Sequence, residues 1–149
     1  MTADGVPTAA DQIRTLLSER AAAIAARDAR RAVADYAPGV VSFGLAPPLR
    51  YAGDEVRDPA GLEAWFQTWD GPIGYDIGEP VIEASDEVAF CHGLTHMTGT
   101  KTDGEQVDLW FRSTVGFRRA PAGWQITHEH DSTPFHMDGS GRAATDLSP

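Results

Sequence analysis

The stretch VDLWFRSTVGFRRAPAGWQITHEHDSTPF, residues 107–135, decides the fold. Apolar and polar side chains alternate on both sides of Ala120-Pro121-Ala122-Gly123, the pattern of two long strands joined by a tight turn. The His128-Glu129-His130-Asp131-Ser132 ending sets titratable groups into an otherwise apolar sheet. Any binding or chemistry is therefore expected on this hairpin.

Working outward, residues 74–84, 88–100, 106–119 and 124–133 all read as strands, with turn-competent Ser85-Asp86-Glu87 and Thr102-Asp103-Gly104 between them. They predict a four-strand antiparallel meander. Before it, residues 10–27 carry Ile13, Leu16, Leu17 and Ile24 on one helical stripe, and 28–36 reads as a second, short helix. Pro38-Gly39 ends helical structure, and two short strands, 40–43 and 49–51, flank Pro47-Pro48. Asp58 as N-cap and Pro59 as the first helical residue start a third helix, which presents Leu62, Trp65, Phe66 and Trp69 at helical spacing and closes at Gly71-Pro72. Three helices in the N-terminal half and an antiparallel sheet make an α+β domain. It is expected to span 1–135, with 136–149 an extended tail in which Ala143, Ala144 and Leu147 can dock on the body.

The totals narrow the function. At 149 residues the chain can bury one core, and its net charge of -10 disfavours nucleic acid or anionic membrane as a partner. No apolar run approaches the roughly 20 residues of a membrane span. The lead MTADGVPTAADQ has neither a basic nor an apolar signal region, so the expected address is cytoplasmic. The single cysteine, Cys91, fits a reducing compartment and reads as a buried structural thiol.

Strand parity assembles a candidate site. Trp124, Ile126, His128, His130 and Ser132 share one face of the last strand; Trp110, Arg112 and Thr114 share one face of the strand before it; His92, Leu94 and His96 lie together on the strand from Val88. Three-residue loops at both hairpins put His96 with Trp110 and Ser132, Leu94 with Arg112 and His130, and His92 with Thr114 and His128. A two-residue loop at either turn flips one strand's parity. His130 and Arg112 are the leading catalytic candidates: an imidazole that moves a proton, beside a guanidinium that holds a carboxylate or a developing oxyanion. The alternative is that both merely satisfy a polar bowl with Thr114 and Ser132. Trp110, Thr114, His128, Ser132, His92 and His96 line the same expected pocket. Tyr36 and Tyr51 serve as pocket hydroxyls or as turn and rim residues. Trp65, Phe66 and Trp69 are core, with one ring, for which Phe66 is the candidate, facing the ligand.

The His128-Glu129-His130 string lacks the helical spacing of a zinc protease. On a strand its two imidazoles point the same way, and His92 or His96 would complete a metal site only across an intervening strand, at about 4.8 Å per step. The expectation is no metal and no cofactor, with a histidine-based metal enzyme as an alternative.

Several segments together resemble the SnoaL-like, ketosteroid-isomerase-like proteins of the nuclear transport factor 2 superfamily. They are Phe43-Gly44-Leu45-Ala46-Pro47-Pro48-Leu49, Asp70-Gly71-Pro72-Ile73-Gly74-Tyr75, Gly99-Thr100-Lys101 with Asp103-Gly104, and Trp110-Phe111-Arg112 through Gly123-Trp124 to Pro134-Phe135. The resemblance implies a cone-shaped curved sheet around a cavity closed by helices, dimerisation through the outer sheet face, and Arg112, His130 and Ser132 in the cavity wall. It departs from the steroid isomerases, whose carboxylate base lies on the first strand after the second helix. No Asp or Glu occurs between Tyr36 and Gly53, and Gly44 stands where similar proteins often place an Asp. A steroid isomerase of that kind is not expected; a cyclase-like pocket that enforces substrate shape stays open. The expected function is a pocket for a small apolar or carbonyl-containing molecule, with isomerase- or cyclase-type proton transfer. A non-catalytic ligand- or partner-binding module in the same fold is the alternative.

Overall fold

The computed structural model of the chain describes residues 5–149. Met1 to Asp4 of the polar lead lie outside the described residues.

Helix α1, Ala9–Ala25, begins at a capping box in which the Thr8 hydroxyl accepts from the Asp11 amide and the Asp11 carboxylate accepts from the Thr8 amide. Its buried stripe is the expected Ile13, Leu16, Leu17 and Ile24, extended by Ala21. The second helix is shorter than expected: α2 covers Ala29–Ala32, capped by Asp28. Tyr36 instead opens strand β1, Tyr36–Phe43, because its ring and hydroxyl are drawn into the interior and the Ile126 amide donates to the Asp35 carbonyl. Pro38 and Gly39, expected to lie before the strand, sit inside it, where the register jumps from Tyr36↔Ile126 to Val41↔His128. Proline has no amide hydrogen for a ladder, and this irregularity asks it for none.

The short β2, Tyr51–Ala52, follows, then a one-turn helix α3, Asp54–Arg57. Helix α4, Pro59–Phe66, has the expected Asp58 cap but stops at Phe66, and Trp69 becomes the first residue of strand β3, Trp69–Asp76. The single strand expected over 74–84 is two, β3 and β4, Val81–Ala84, separated at residues 77–80. Both pair with β5, Val88–Lys101, which runs on to β6, Gln106–Ala120, and β7, Gly123–Ser132. The strand order is β2-β1-β7-β6-β5-β3, with β4 also on β5; β1 and β7 run parallel and the remaining pairs antiparallel. The sheet curls around the helices without closing. One core cluster joins α1 to Val115, Phe117, Trp124 and Ile126, and a second gathers Phe66, Trp69 and Ile73 beneath Ala29 and Ala32. No helix among the described residues is long and apolar enough to cross a membrane.

The β5/β6 register agrees with expectation: His96↔Trp110, Leu94↔Arg112 and His92↔Thr114. The β6/β7 register does not. Ala120 pairs with Gly123, so this hairpin turns on two residues and parity flips; an extra residue at Thr127, between the pairs Phe117↔Ile126 and Gly116↔His128, flips it back. Beyond that bulge Arg112 pairs with Ser132 and Thr114 with His130, each row two residues away from the expected one. The tail folds back, with Phe135 bridging Ala143, the His136 ring 3.1 Å from Asp146 and Ala144 buried, whereas Leu147 stays half exposed.

Gly99 sits at the sharpest backbone approach. At φ +149° a Cβ there would lie 2.8 Å from the Trp69 ring and 2.9 Å from the Pro72 carbonyl oxygen. Gly99→Ala is expected to destabilise the fold by about 2 kcal/mol or more. Gly61, in α4 with open space around its Cα, is expected to gain up to about 1 kcal/mol on replacement by Ala. Urea denaturation of the two variants measures both; a stable Gly99→Ala protein would contradict the packing described.

Candidate functional site

The Thr127 bulge decides which side chains of β7 face inward. Before it, Trp124 and Ile126 are buried; after it, Glu129 and Asp131 take the inner face and His128, His130 and Ser132 the outer one. On β6 the inner face carries Phe111, Ser113, Val115 and Phe117, and the outer face Trp110, Arg112 and Thr114. The residues first expected to form the pocket thus stand mostly on the outside of the sheet.

Arg112 is exposed, and its Nε donates to Ser132 Oγ at 3.1 Å rather than meeting His130. His130 is exposed and packs edge-on to Phe43 at 5.3 Å; His128 does the same at 4.8 Å, with Nδ1 2.7 Å from the Val41 carbonyl oxygen. His96 stacks flat on Trp110 at 4.3 Å and lies 2.6 Å from Asp108. His92 and Thr114 are a solvent-facing pair. Among the described residues, no three His, Cys, Asp or Glu side chains are arranged to hold a metal ion. Phe66 is core, 3% exposed, and the ring that reaches the cavity from α4 is its neighbour Trp65. Tyr36 does face the interior. Cys91 is buried, and burial raises its thiol to about 11.

The interior holds a cavity of about 470 Å³. Ile24, Leu62, Trp65, Met97 and Phe111 form apolar walls, and Gly44, Leu45 and Ala46 of the β1–β2 loop, with Tyr51, form part of its rim. The polar groups are Arg20, Tyr36, Ser42, Tyr75, Glu129 and Asp131. Arg20 lies on the apolar stripe of α1, one helical turn from Leu16 and Ile24. Its Nη2 reaches Glu129 Oε2 at 2.7 Å and Tyr36 Oη at 2.5 Å. Tyr36 donates to Glu129 Oε1 at 2.7 Å, and Ser42 donates to the same oxygen at 3.0 Å. The Arg20 and Glu129 side chains are only 15% and 12% exposed, so this is a buried, hydrogen-bonded ion pair.

Burial opposes the charge on Arg20, yet Glu129, with Tyr36, Tyr75 and Asp131 around it, outweighs burial and holds the guanidinium above its ordinary range. Burial also keeps the Tyr36 and Tyr75 phenols protonated well past their usual range. Asp131 differs. It has no cation of its own, and burial, then the charge of Glu129, push its carboxyl up to about 6 against the opposing pulls of Ser113 and Arg20. The inner wall therefore presents one carboxyl that exchanges its proton near neutrality, beside phenols that remain donors.

Strand parity sets Glu129 and Asp131 on the face opposite the histidines, and the structure turns that face to the interior. Two signals pointed to the inner set: Arg20 in the middle of an otherwise apolar helical stripe, and carboxylates on the side of β7 that shares its face with Phe111 and Val115. A charge on an apolar face needs a partner, and each is the other's.

A carboxyl whose pKa is raised on folding, from an ordinary 3.8 to about 6, binds more protons in the folded than in the unfolded state between these limits. Stability then falls as pH rises through this window and levels off above it, a loss of roughly 2 to 3 kcal/mol. Asp131→Asn is expected to remove that decline and to be the more stable protein at pH 8. Thermal melts from pH 4 to pH 8 measure it, and parallel curves for the two proteins would contradict the burial of this carboxyl.

The comparisons agree with this fold. The family model for the SnoaL-like domain matches residues 13–136. A protein of unknown function from Pseudomonas putida KT2440, described as NTF2-like, is 30% identical and superposes with a TM-score of 0.82 over 97% of this chain and 100% of its own. An NTF2-like superfamily protein from Salmonella enterica serovar Typhimurium LT2 is 17% identical, with a TM-score of 0.73 over 89% of this chain and 96% of its own. A ketosteroid isomerase-like protein from Erwinia carotovora atroseptica SCRI1043 is 22% identical, with a TM-score of 0.67 over 81% and 92%. None of the curated proteins matches the chain. A curled sheet packed on N-terminal helices, and a family model that covers most of the sequence, make this chain a member of the SnoaL-like domain family within the NTF2-like fold.

Proposed function

We propose that the interior cavity binds a small, partly apolar carbonyl compound and moves a proton on it, in the manner of an isomerase or cyclase, with Asp131 as the proton acceptor and donor. The supporting observation is the environment of Asp131: a buried carboxyl raised to about 6, lining an apolar cavity of about 470 Å³. A general base with a pKa near the working pH combines the right protonation state with useful driving force. Abstraction of a proton from carbon beside a carbonyl leaves negative charge on the carbonyl oxygen, and the Tyr75 hydroxyl, held protonated by burial, is the donor available to stabilise it. The Arg20–Glu129 pair, with Tyr36 and Ser42, positions β7 and sets the field at Asp131 without touching the reacting atoms. The role first expected of His130 thus moves one residue along the same string. The name of the Erwinia protein, ketosteroid isomerase-like, is compatible with this class of chemistry.

Deuterium exchange tests the assignment directly. Wild-type protein in D₂O is expected to accelerate exchange of protons beside the carbonyl of an apolar cyclic ketone, read by NMR. Asp131→Asn is expected to lose about a hundredfold or more of that rate, whereas His130→Ala retains it. Equal rates in wild type and Asp131→Asn would remove Asp131 from the role.

A homodimer through the outer sheet face is also proposed. Val81, Val88, Phe90 and Leu94 lie on that face, each 44% to 52% exposed, beside the His96–Trp110 stack. A sheet face with this much apolar area in a monomer would be exposed to water. Light scattering after size exclusion is expected to give twice the chain mass for wild type and the single mass for Leu94→Arg; a monomeric wild type would refute the interface.

A further inference from the structure

The charges of the cavity wall do not balance. Among the described residues that line it, Arg20 is the one Lys or Arg, and its Nη2 is committed to Glu129 and Tyr36. Its Nε is enclosed and has no hydrogen-bond partner, and its charge is already answered by Glu129. With Glu129 neutralising Arg20, Asp131 is left with a hydroxyl partner, Ser113, and no cation. A buried carboxylate in this position gains most from a ligand that brings N–H donors and positive charge, and a second carboxylate nearby would be repelled. The rings of Trp65, Tyr75 and Phe111 stand in the same wall, with Tyr75 and Phe111 tilted against each other at 6.3 Å. Aromatic faces attract cations and stack on flat ligands, and they offer nothing to an anion.

From this arrangement we infer that the ligand of the cavity carries a basic nitrogen on an apolar, ring-sized body, and that carboxylates of the same shape are turned away. The inference rests on the cavity's being a small-molecule site and adds the class of molecule it takes. The ammonium pairs with one oxygen of Asp131 and leaves the other to accept a proton, the ring system lies among Trp65, Tyr75 and Phe111, and the protonated Tyr75 phenol is free to meet a neutral acceptor such as a carbonyl oxygen. The guanidinium of Arg112, which would have favoured an acidic substrate, is on the other side of the sheet and engaged with Ser132.

Three naphthalene probes of matched shape test the inference: naphthylethylamine, naphthylethanol and naphthylacetate, titrated at pH 8 into the full chain and followed by calorimetry. Wild type is expected to bind the amine at least about tenfold more tightly than the carboxylate, with the alcohol between them. Asp131→Asn, checked for an intact fold by its circular dichroism melt, is expected to lose about tenfold or more in amine affinity while its alcohol affinity stays within about threefold. Carboxylate binding as tight as the amine's, or an amine preference that survives in Asp131→Asn, would overturn the ligand class. Binding of the alcohol without the amine would overturn the ligand class and leave the cavity as a small-molecule site. Binding of none of the three would overturn the cavity reading itself.

Discussion

The ion pair between Arg20 and Glu129 holds the functional interior together. It joins α1 to the strand that carries Asp131, and through Tyr36 and Ser42 it also fixes both ends of β1. Two opposite charges buried this deeply cost more in lost hydration than they return unless every remaining lone pair and proton finds a partner. Here the Glu129 carboxylate accepts from the guanidinium, a phenol and a hydroxyl and is nearly saturated, whereas the buried Nε of Arg20 has no hydrogen-bond partner. Replacing one partner would leave the other charged and stranded, whereas a matched apolar pair would fill the space without forming the field that Asp131 experiences.

That field also acts on Asp131. Asp131 lowers stability near neutral pH because its charge is buried without a counter-ion, and the same deficit raises its pKa into the range useful for proton transfer. The neighbouring Glu129 is the contrasting case: two residues away on one strand face, its charge is compensated by Arg20. Two carboxylates in the same wall thus differ through their partners: one is held as an ion pair, and the other has its proton affinity raised.

Much of the fold was legible in the sequence, and the reasons are local. The α1 stripe, the Asp58 cap and the β5/β6 hairpin depend on near neighbours, and the structure reproduces all three, down to the pairing of His96 with Trp110. The site was legible only in its location on the last hairpin. Its face was not, because the inward direction of β7 is set by the Thr127 bulge, and that bulge lies where β1 joins β7 in parallel from far away in the chain. Strand alternation carries no record of a residue that is skipped. The break at residues 77–80 and the proline inside β1 were missed for a related reason: both follow from how the curled sheet continues, and neither is a property of the segment alone.

The parallel union of β1 with β7 has a consequence for the order of events as the chain is made. Arg20 and Glu129 are 109 residues apart in sequence, and β7 is the last strand. Until it is complete, Arg20 on α1 lacks its Glu129 partner, and β1 has no strand partner but the two-residue β2. The helices that will cap the cavity can form early, yet they have no interior to cap. Contacts this far apart in sequence carry a loop-closure cost that nearer pairings do not. Asp131 lies on the same strand as Glu129, so its burial also waits on the joining of the two ends of the chain.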